Sequence, residues 1–147
     1  MKFPFIYSGK IIQNYQRGCG LFIYENDSFG QKSIRFVSNI KSDHDAINYL
    51  SSGQLSGLVI AFTLALNKVY GENSIGLLLL DDPVQTMDEI NVASLIELLR
   101  NEFRKKQIIM STHEEEVSRY IRYKYSKYYL KTMRVNIKNL ANKLLCS

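Results

Sequence analysis

The chain has 147 residues, of which 46% are apolar, and this is the size and composition of one ordinary globular domain. No apolar run approaches the roughly 20 residues that a transmembrane helix needs, and no secretory leader or lipidation motif is visible. We therefore expect a cytoplasmic protein with no membrane partner. Cys19 and Cys146 lack a metal-binding spacing, and we interpret them as reduced and incidental.

The charge is distributed unevenly along the chain. Residues 1–116 carry 11 Lys or Arg and 14 Asp or Glu, which sum to −3, whereas residues 117–147 carry eight Lys or Arg and no acidic residue. The two parts, −3 and +8, give the formal net charge of +5. A segment this basic attracts polyanions, so nucleic acid or an acidic protein surface is the expected partner of the tail.

The first 49 residues are predicted to form a strand-rich lead-in. Residues 1–10 indicate an extended aromatic segment, and short alternating apolar runs over residues 11–38 predict antiparallel strands around a turn at residues 26–30. A tight turn is expected at residues 17–20. Residues 41–48 predict a short helix or a loop.

A long helix is predicted over residues 55–70. Its apolar residues lie on nearly all sides, which is typical of a buried helix, and Gly71 is expected to end it in the left-handed conformation. Ser51 and Ser52 then lie at its N-terminus, where unpaired N–H groups and the helix dipole favour a phosphate. The alternative is that these two serines merely cap the helix.

A βαβ unit is predicted over residues 75–111. Residues 75–80 are continuously apolar, as in a parallel strand that is covered on both faces. A helical pattern follows, with Thr86 or Asp88 as its cap, and residues 107–111 form a second apolar strand. We expect a right-handed crossover between two neighbouring parallel strands.

Two adjacent carboxylates, Asp81 and Asp82, end the first of these strands, and Pro83 prevents its ladder from continuing. Buried carboxylates are costly unless a cation such as Mg²⁺ or an ammonium group lies against them. His113 follows the second strand and should therefore lie at the same edge, which is where open α/β sheets bind ligands. The alternative is an exposed acidic turn.

The basic tail is predicted to begin with a helix at residues 114–121 and to continue with one or two edge strands over residues 125–137. Its basic residues interleave with tyrosines, a combination that can contact DNA phosphates while aromatic rings pack or stack. The alternative is a sheet with its tyrosines in the core and its lysines solvated. The candidate DNA contacts are Arg119, Arg122, Lys124 and Lys127, and the tyrosines assigned to a sheet core by the alternative are Tyr125, Tyr128 and Tyr129.

Four segments, taken in order, resemble the motifs of the ATP-binding cassette superfamily. Residues 50–54, Leu-Ser-Ser-Gly-Gln, resemble the signature loop, and residues 77–82, Leu-Leu-Leu-Leu-Asp-Asp, resemble the Walker B motif. Residues 85–88, Gln-Thr-Met-Asp, resemble the D-loop, and residues 111–113, Ser-Thr-His, have a histidine at the switch position. The pattern is most similar to the heads of chromosome-structural-maintenance (SMC) and double-strand-break-repair ATPases, over residues 48–122.

The resemblance implies a role for each motif, with ATP and Mg²⁺ as cofactors. Asp81 would hold Mg²⁺, Asp82 would act as the base toward the attacking water, and His113 would hydrogen-bond the γ-phosphate or that water. In the family the signature loop grips nucleotide held by the opposite head, which implies a dimer of heads with ATP between them. The residues that this assigns to nucleotide binding in trans are Ser51, Ser52, Gly53 and Gln54, and those of the D-loop are Thr86 and Asp88.

The chain also departs from the family pattern. Ser52 stands where a glycine is more usual, and Asp82 stands where the base is usually glutamate, so the carboxylate reaches about one ångström less and turnover should be slow. No Gly-x-x-x-x-Gly-Lys-Ser/Thr motif, the Walker A loop, occurs in the sequence. By itself the chain should therefore bind ATP poorly and hydrolyse it negligibly.

The resemblance thus implies an α/β fold, the carboxyl lobe of an ATP-binding-cassette head, with a parallel βαβ core and flanking antiparallel strands. We expect a single domain over residues 1–147, with a lead-in at 1–49, a motif core at 50–113 and a basic tail at 117–147. The expected partners are an amino-terminal Walker A lobe, a second head and double-stranded DNA. The expected setting is DNA repair, chromosome maintenance or anti-phage defence, in the cytoplasm and, in a bacterium, at the nucleoid.

Two other functions remain open. A non-catalytic regulatory or nucleic-acid-binding module with a degenerate cassette fold would explain Ser52 and Asp82 as signs of decay. A nucleotide-binding subunit of a transporter is disfavoured, because the residues before Leu50 indicate strands rather than the helical subdomain that such subunits have there.

Overall fold

The computed structural model describes residues 3–12, 20–28, 31–39, 41, 44–71 and 76–139. Its elements are α1 (Phe3–Ile11), β1 (Phe22–Ser28), β2 (Gln31–Val37), a 3₁₀ turn (Ala46–Tyr49), α2 (Ser52–Tyr70), β3 (Leu77–Leu80), α3 (Glu89–Glu102), β4 (Gln107–Met110) and α4 (Glu115–Lys127). The chain divides into two compact units between Glu114 and Glu115. Both cysteines and most of the predicted turn at residues 17–20 lie outside the described residues.

Two pairs of strands confirm the predicted mixture of parallel and antiparallel pairing. β1 and β2 pair antiparallel, from Phe22 opposite Val37 to Ser28 opposite Gln31. β3 and β4 pair parallel, with Leu80 opposite Met110, and α3 is the crossover between them. The α/β fold class predicted from the sequence is therefore confirmed.

The core of the first unit lies among α1, α2, α3 and the inner face of β3. Each helix contributes apolar side chains at helical spacing, so that one stripe of each faces the others. The buried apolar residues are Tyr7, Ile11 and Ile12 from α1 and its end, Leu58, Ala61, Leu64 and Ala65 from α2, Leu78 and Leu80 from β3, and Val92, Leu95, Ile96, Leu98, Leu99 and Phe103 from α3 and its end, together with Val37 and Val84.

The first element is a helix, so the prediction of an extended segment at residues 1–10 is wrong. Pro4 lies in the first turn of α1, where a missing N–H costs little. The ring of Phe5 stacks on Phe22 with centroids 4.3 Å apart, and Tyr7 meets Phe103 edge-on at 6.2 Å. These partners are distant in sequence, and their burial decides the conformation of a segment with no clear local signal.

α2 is buried along one stripe only, so the prediction of a helix covered on every side is wrong for this unit. Leu55, Val59 and Val69 are exposed by 36%, 56% and 38%. Gly71 ends the helix as predicted, but its φ is −92°, which is not left-handed. Glycine is needed there for space, since a Cβ atom would lie 2.3 Å from the Asn67 carbonyl oxygen.

The parallel pair β3–β4 has one covered face, although the sequence predicted two. Leu78 and Leu80 are buried beneath it, whereas Leu79 is 66% exposed and its register partner Ile109 is 50% exposed. Side chains alternate across a strand, so both exposed residues lie on the outer face. This unit thus presents an apolar sheet face to its surroundings.

The second unit begins with α4, which confirms the predicted helix after Glu114. Glu115 and Glu116 lie in its first turn and Lys124 and Lys127 in its last, the order that the helix dipole favours. The predicted edge strands are wrong, since the described residues 128–136 contain no strand. A strand needs a neighbour to pair with, and a local alternation of side chains cannot supply one.

The alternative that places the tail tyrosines in a sheet core is also wrong. Tyr128 is 43% exposed, and Tyr129, which has a φ of 57°, is 97% exposed. In the part of the chain that the structure describes, no helix combines the length and the apolar character that crossing a membrane requires.

Candidate functional site

The carboxyl ends of β3 and β4 are joined by the hydroxyl of Ser111. The N–H of Asp82 donates to Ser111 Oγ at 2.8 Å, and Ser111 Oγ donates to Asp81 Oδ1 at 2.5 Å. The N–H of Ser111 in turn donates to the carbonyl of Leu80 at 3.0 Å, which extends the parallel ladder by one bond. One side chain therefore binds both the backbone of Asp82 and the carboxylate of Asp81.

At this edge of the sheet, Asp82 combines a strained backbone with a buried carboxylate oxygen. Its φ is 38°, in the left-handed region, which aspartate tolerates better than most residues. Its side chain is 15% exposed. Its Oδ1 atom is buried and, among the described residues, has no hydrogen-bond partner. A buried carboxylate oxygen without a partner is costly, and a cation or a hydrogen-bond donor at this point would stabilise it.

His113 lies at the same edge, as the parallel topology predicted. Its Nε2 atom is 3.9 Å from Asp82 Oδ2, too far for a hydrogen bond, and its side chain is 91% exposed. Thr112 Oγ1 accepts from the N–H of Glu114 at 3.1 Å, which turns the chain directly after the histidine. The imidazole thus lies near Asp82 and is accessible to an external group.

The two carboxylates fit a hard divalent cation in chemistry but do not form a complete cage. No group of three or more His, Cys, Asp or Glu with metal-binding geometry occurs within the described ranges. Mg²⁺ characteristically takes one or two protein carboxylates and completes its octahedron with phosphate oxygens and water. Asp81 and Asp82 therefore suit a cation that arrives together with a phosphate.

The predicted signature segment forms the first turn of α2. Ser51 is the N-cap: its Oγ accepts from the N–H of Gln54 at 3.3 Å, and Gln54 Oε1 accepts from the N–H of Ser51 at 3.1 Å. The capping alternative thus holds for Ser51, whereas Ser52 is the first helical residue and is exposed. A hydroxyl that accepts one bond can still donate another, so capping leaves Ser51 able to bind an oxygen ligand.

The loop between β3 and α3 lies against this turn. Ser56 Oγ and Thr86 Oγ1 are 2.7 Å apart, and a Cβ atom on Gly53 would lie 2.4 Å from the Thr86 carbonyl oxygen. At the end of the loop Asp88 caps α3, accepting from the N–H of Asn91 at 2.8 Å and from its side-chain amide at 3.0 Å. The structure therefore brings the predicted signature and D-loop segments into contact.

Two residues of this region, Ser56 and Ser111, had no assigned function in the sequence analysis. Each hydroxyl bonds to a residue about 30 positions away, and no periodicity in a sequence predicts such a pair. The available signal was a hydroxyl in an otherwise apolar stretch: Ser56 interrupts the apolar helix, and Ser111 directly follows an apolar strand.

The candidate DNA contacts lie in α4, and within that unit they divide into two pairs. Arg119 and Lys127 are exposed, whereas Arg122 and Lys124 are half-buried. All four already have partners in the unit, which reduces their availability to DNA. Arg119 is 3.6 Å from Glu115, Arg122 Nε donates to the Ser118 carbonyl at 3.3 Å, and the ammonium groups of Lys124 and Lys127 lie 5.6 Å and 4.7 Å from the ring centroids of Tyr120 and Tyr123.

The chain is similar in sequence to DNA-repair ATPases of the Rad50 type. It is 28% identical over 114 residues to the DNA double-strand break repair Rad50 ATPase of Archaeoglobus fulgidus, which aligns 76% of this chain with 13% of the relative. It is 37% identical over 120 residues to the DNA repair protein rad50 of Schizosaccharomyces pombe, which aligns 75% of this chain with 9% of the relative. The chain thus spans only about a tenth of these relatives. No protein-family model matches it.

The fold is similar to that of a solved SMC head. The crystal structure of the SmcHead bound to the C-winged helix domain of ScpA matches 79% of this chain and 36% of that chain, with a TM-score of 0.55 and 19% sequence identity. At that identity the similarity concerns the fold. The chain thus covers about a third of the solved head.

Proposed function

Because the chain is a carboxyl-terminal lobe of an ATPase head of the SMC and double-strand-break-repair type, we propose that it completes an ATP-binding and hydrolysis site together with a separate amino-terminal lobe. The observation that carries the proposal is the state of Asp82, which is strained, largely buried and lacks a partner for Oδ1 among the described residues. Asp81 and His113 lie beside it at the same edge.

Each of these three side chains has its own task. Asp81 would hold Mg²⁺ through a carboxylate oxygen, and the ion would supply positive charge beside the phosphate oxygens. Asp82 orients the attacking water and accepts its proton through Oδ2, the oxygen that faces His113, because Oδ1 is buried. His113, exposed and 3.9 Å from Asp82, donates to the γ-phosphate as negative charge develops there.

The first turn of α2 binds nucleotide held by a second head. Ser51 can donate its hydroxyl proton while its oxygen caps the helix, and the first N–H groups of an α-helix have no partner within it. Together with the positive end of the helix dipole, this favours a γ-phosphate. Two heads joined by ATP in this way each contribute to both sites.

The missing lobe covers the apolar surfaces that this lobe leaves open. Leu79 and Ile109 form the outer face of β3–β4, and Leu55 and Val59 lie on the open side of α2. Burying a Leu or Ile side chain contributes about 1.5–3 kcal/mol, so these surfaces favour association with another protein surface. The sequence has no Walker A motif, and the amino-terminal lobe supplies it.

The assembled ATPase acts on DNA, in repair, chromosome maintenance or anti-phage defence. The support is the +8 charge of residues 117–147 and the exposure of Arg119 and Lys127 on α4. These side chains can contact phosphates without reading sequence. Binding of double-stranded DNA should therefore weaken steeply as salt is raised.

The test is reconstitution of the chain with a Walker A lobe from a Rad50-type head, followed by measurement of ATP hydrolysis and ATP-dependent dimerisation. Asp82→Asn should abolish hydrolysis and leave, or increase, the dimer in ATP. Asp27→Asn, at an exposed position of β1, is the matched control and should behave as wild type. Hydrolysis that survives Asp82→Asn would contradict the proposal.

The second candidate is a nucleic-acid-binding module without turnover, which the basic helix α4 also favours. In that case the reconstituted wild type would bind DNA but not hydrolyse ATP. Binding would persist after Asp81→Asn, Asp82→Asn and His113→Ala, and nucleotide would not change it.

A further inference from the structure

We propose that Ser56 is a positioning residue that couples the signature turn of α2 to the loop of residues 82–88. Through this contact, nucleotide bound at the first turn of α2 controls the position of the loop that begins at Asp82. The coupling rests on the proposed function, but the contact itself can be tested in the isolated chain.

The first observation is the pair of hydroxyls. Ser56 Oγ and Thr86 Oγ1 are 2.7 Å apart, which is the preferred distance for an O–H···O bond, and either group can donate. The two residues are 30 positions apart. The bond therefore joins two segments that lie far apart along the chain.

The second observation is the close backbone approach beside that pair. A Cβ atom at position 53 would lie 2.4 Å from the Thr86 carbonyl oxygen, so only glycine allows the loop to approach α2 this closely. Gly53 and Ser56 are three residues apart in the helix and lie on the same face. Thr86 thus contacts α2 at two points: its carbonyl packs against Gly53, and its hydroxyl forms a hydrogen bond with Ser56.

The third observation is that both sides of the contact are internally hydrogen-bonded. The reciprocal bonds of Ser51 and Gln54 fix the first turn of α2. On the loop side, the N–H of Met87 donates to the Val84 carbonyl at 3.0 Å, Val84 is buried, and Asp88 caps α3. A shift of the α2 turn is therefore transmitted to the loop as a unit, rather than absorbed by a flexible connection.

The loop also leads directly to the proposed catalytic group. Its first residue is Asp82, which has a φ of 38° and whose N–H donates to Ser111, directly after β4. Thr86 is four residues further on, and Ser56 provides its side-chain anchor. Loss of the anchor should therefore misplace Asp82 relative to the attacking water, and small misplacements of catalytic groups have large effects on rate.

The isolated chain gives the first arm of the test, by amide hydrogen exchange. Ser56→Ala should raise the exchange rate of the Met87 amide about fivefold, the factor expected for one ordinary hydrogen bond. Thr86→Val, which removes the hydroxyl at constant shape, should have the same effect, and the double variant should add nothing. Thr86→Ser keeps the hydroxyl, so its Met87 amide should exchange at the wild-type rate. Thr63→Ala is the control, since its hydroxyl donates to Val59 of the same helix.

The reconstituted head gives the second arm. Ser56→Ala should lower kcat about tenfold and leave the KM for ATP within about twofold, because the anchor acts on positioning rather than on nucleotide affinity. Thr63→Ala, which removes a hydroxyl that donates within its own helix, should leave kcat unchanged. A purely structural role would instead lower thermal stability and leave kcat per folded molecule unchanged.

The outcomes separate the two proposals. Unchanged exchange at Met87 in Ser56→Ala overturns the inference, as does an unchanged kcat in a reconstituted head whose wild type hydrolyses ATP. A wild-type complex that lacks hydrolysis overturns the proposed function. In that case the exchange rates still decide whether Ser56 holds the loop.

Discussion

The backbone N–H of Asp82 donates a hydrogen bond to the hydroxyl of Ser111 at 2.8 Å. The same hydroxyl donates to Asp81 Oδ1 at 2.5 Å, within the range of charge-assisted bonds. A left-handed backbone costs about 1–2 kcal/mol for a residue with a Cβ atom, and Asp82 adopts it beside this bond. A serine directly after the neighbouring strand thus stabilises the left-handed conformation of Asp82.

Replacing Ser111 by alanine should destabilise the first unit by about 1 kcal/mol, because one donor and one acceptor are lost at a partly exposed position. Urea unfolding measures this. In the reconstituted head the change should also raise the Mg²⁺ concentration needed for half-maximal hydrolysis, since Asp81 loses its orienting donor. Ser111→Thr keeps the hydroxyl and should restore both properties. An unchanged Mg²⁺ requirement in Ser111→Ala would show that this hydroxyl is dispensable for the cation.

Replacing Gly53 by alanine sets two effects against each other. Alanine favours a helix by about 1 kcal/mol over glycine, whereas its Cβ atom would lie 2.4 Å from a backbone carbonyl that cannot rotate away. Overpacking of this kind costs about 1–3 kcal/mol, so we expect net destabilisation and displacement of the loop at Thr86. Ser52→Ala, at the exposed neighbouring position, is the control for thermal unfolding. A Gly53→Ala variant more stable than wild type would contradict this expectation, because the loop at Thr86 would then move aside at little cost in free energy.

Tyr7 should make stability depend on pH in the alkaline range. Burial, the neighbouring charge of Glu102 and a long hydrogen bond to it of 3.5 Å together raise the pKa of Tyr7 from 10.0 to about 12. A pKa raised in the folded state gives stability that is complete below pH 10 and is lost as the pH rises toward 12.

Over this window the ionisation of Tyr7 should lower the free energy of unfolding by about 2–3 kcal/mol, because a pKa difference of one corresponds to about 1.4 kcal/mol. Tyr7→Phe should flatten the difference between pH 9 and pH 12, measured as the free energy of unfolding in urea. Lysines also titrate in this range, but they are common to both proteins and cancel in the comparison. Equal slopes for wild type and Tyr7→Phe would contradict the raised pKa.

Local signals in the sequence predicted the elements that bear the candidate site. Apolar runs ending at Leu80 and Met110, with a helical pattern between them, predicted parallel strands, and this order by itself put the carboxylates and the histidine at one edge. Asp82 and His113 are indeed neighbours at 3.9 Å. Ser51 and Asp88 cap their helices because a short polar side chain before an apolar helix can satisfy its first N–H groups.

Only the tertiary structure decided what the elements meet. Residues 3–11 became a helix because Tyr7 and Ile11 could be buried against α2 and α3, and the tail formed no strand in its described part because pairing needs a neighbouring edge. The hydroxyls of Ser56 and Ser111 acquired partners about 30 residues away, through the folding of α2 against the loop and of β4 beside β3. Sequence periodicity shows which face of a helix or strand is apolar. Which other element packs against that face depends on contacts between segments that are far apart in the sequence.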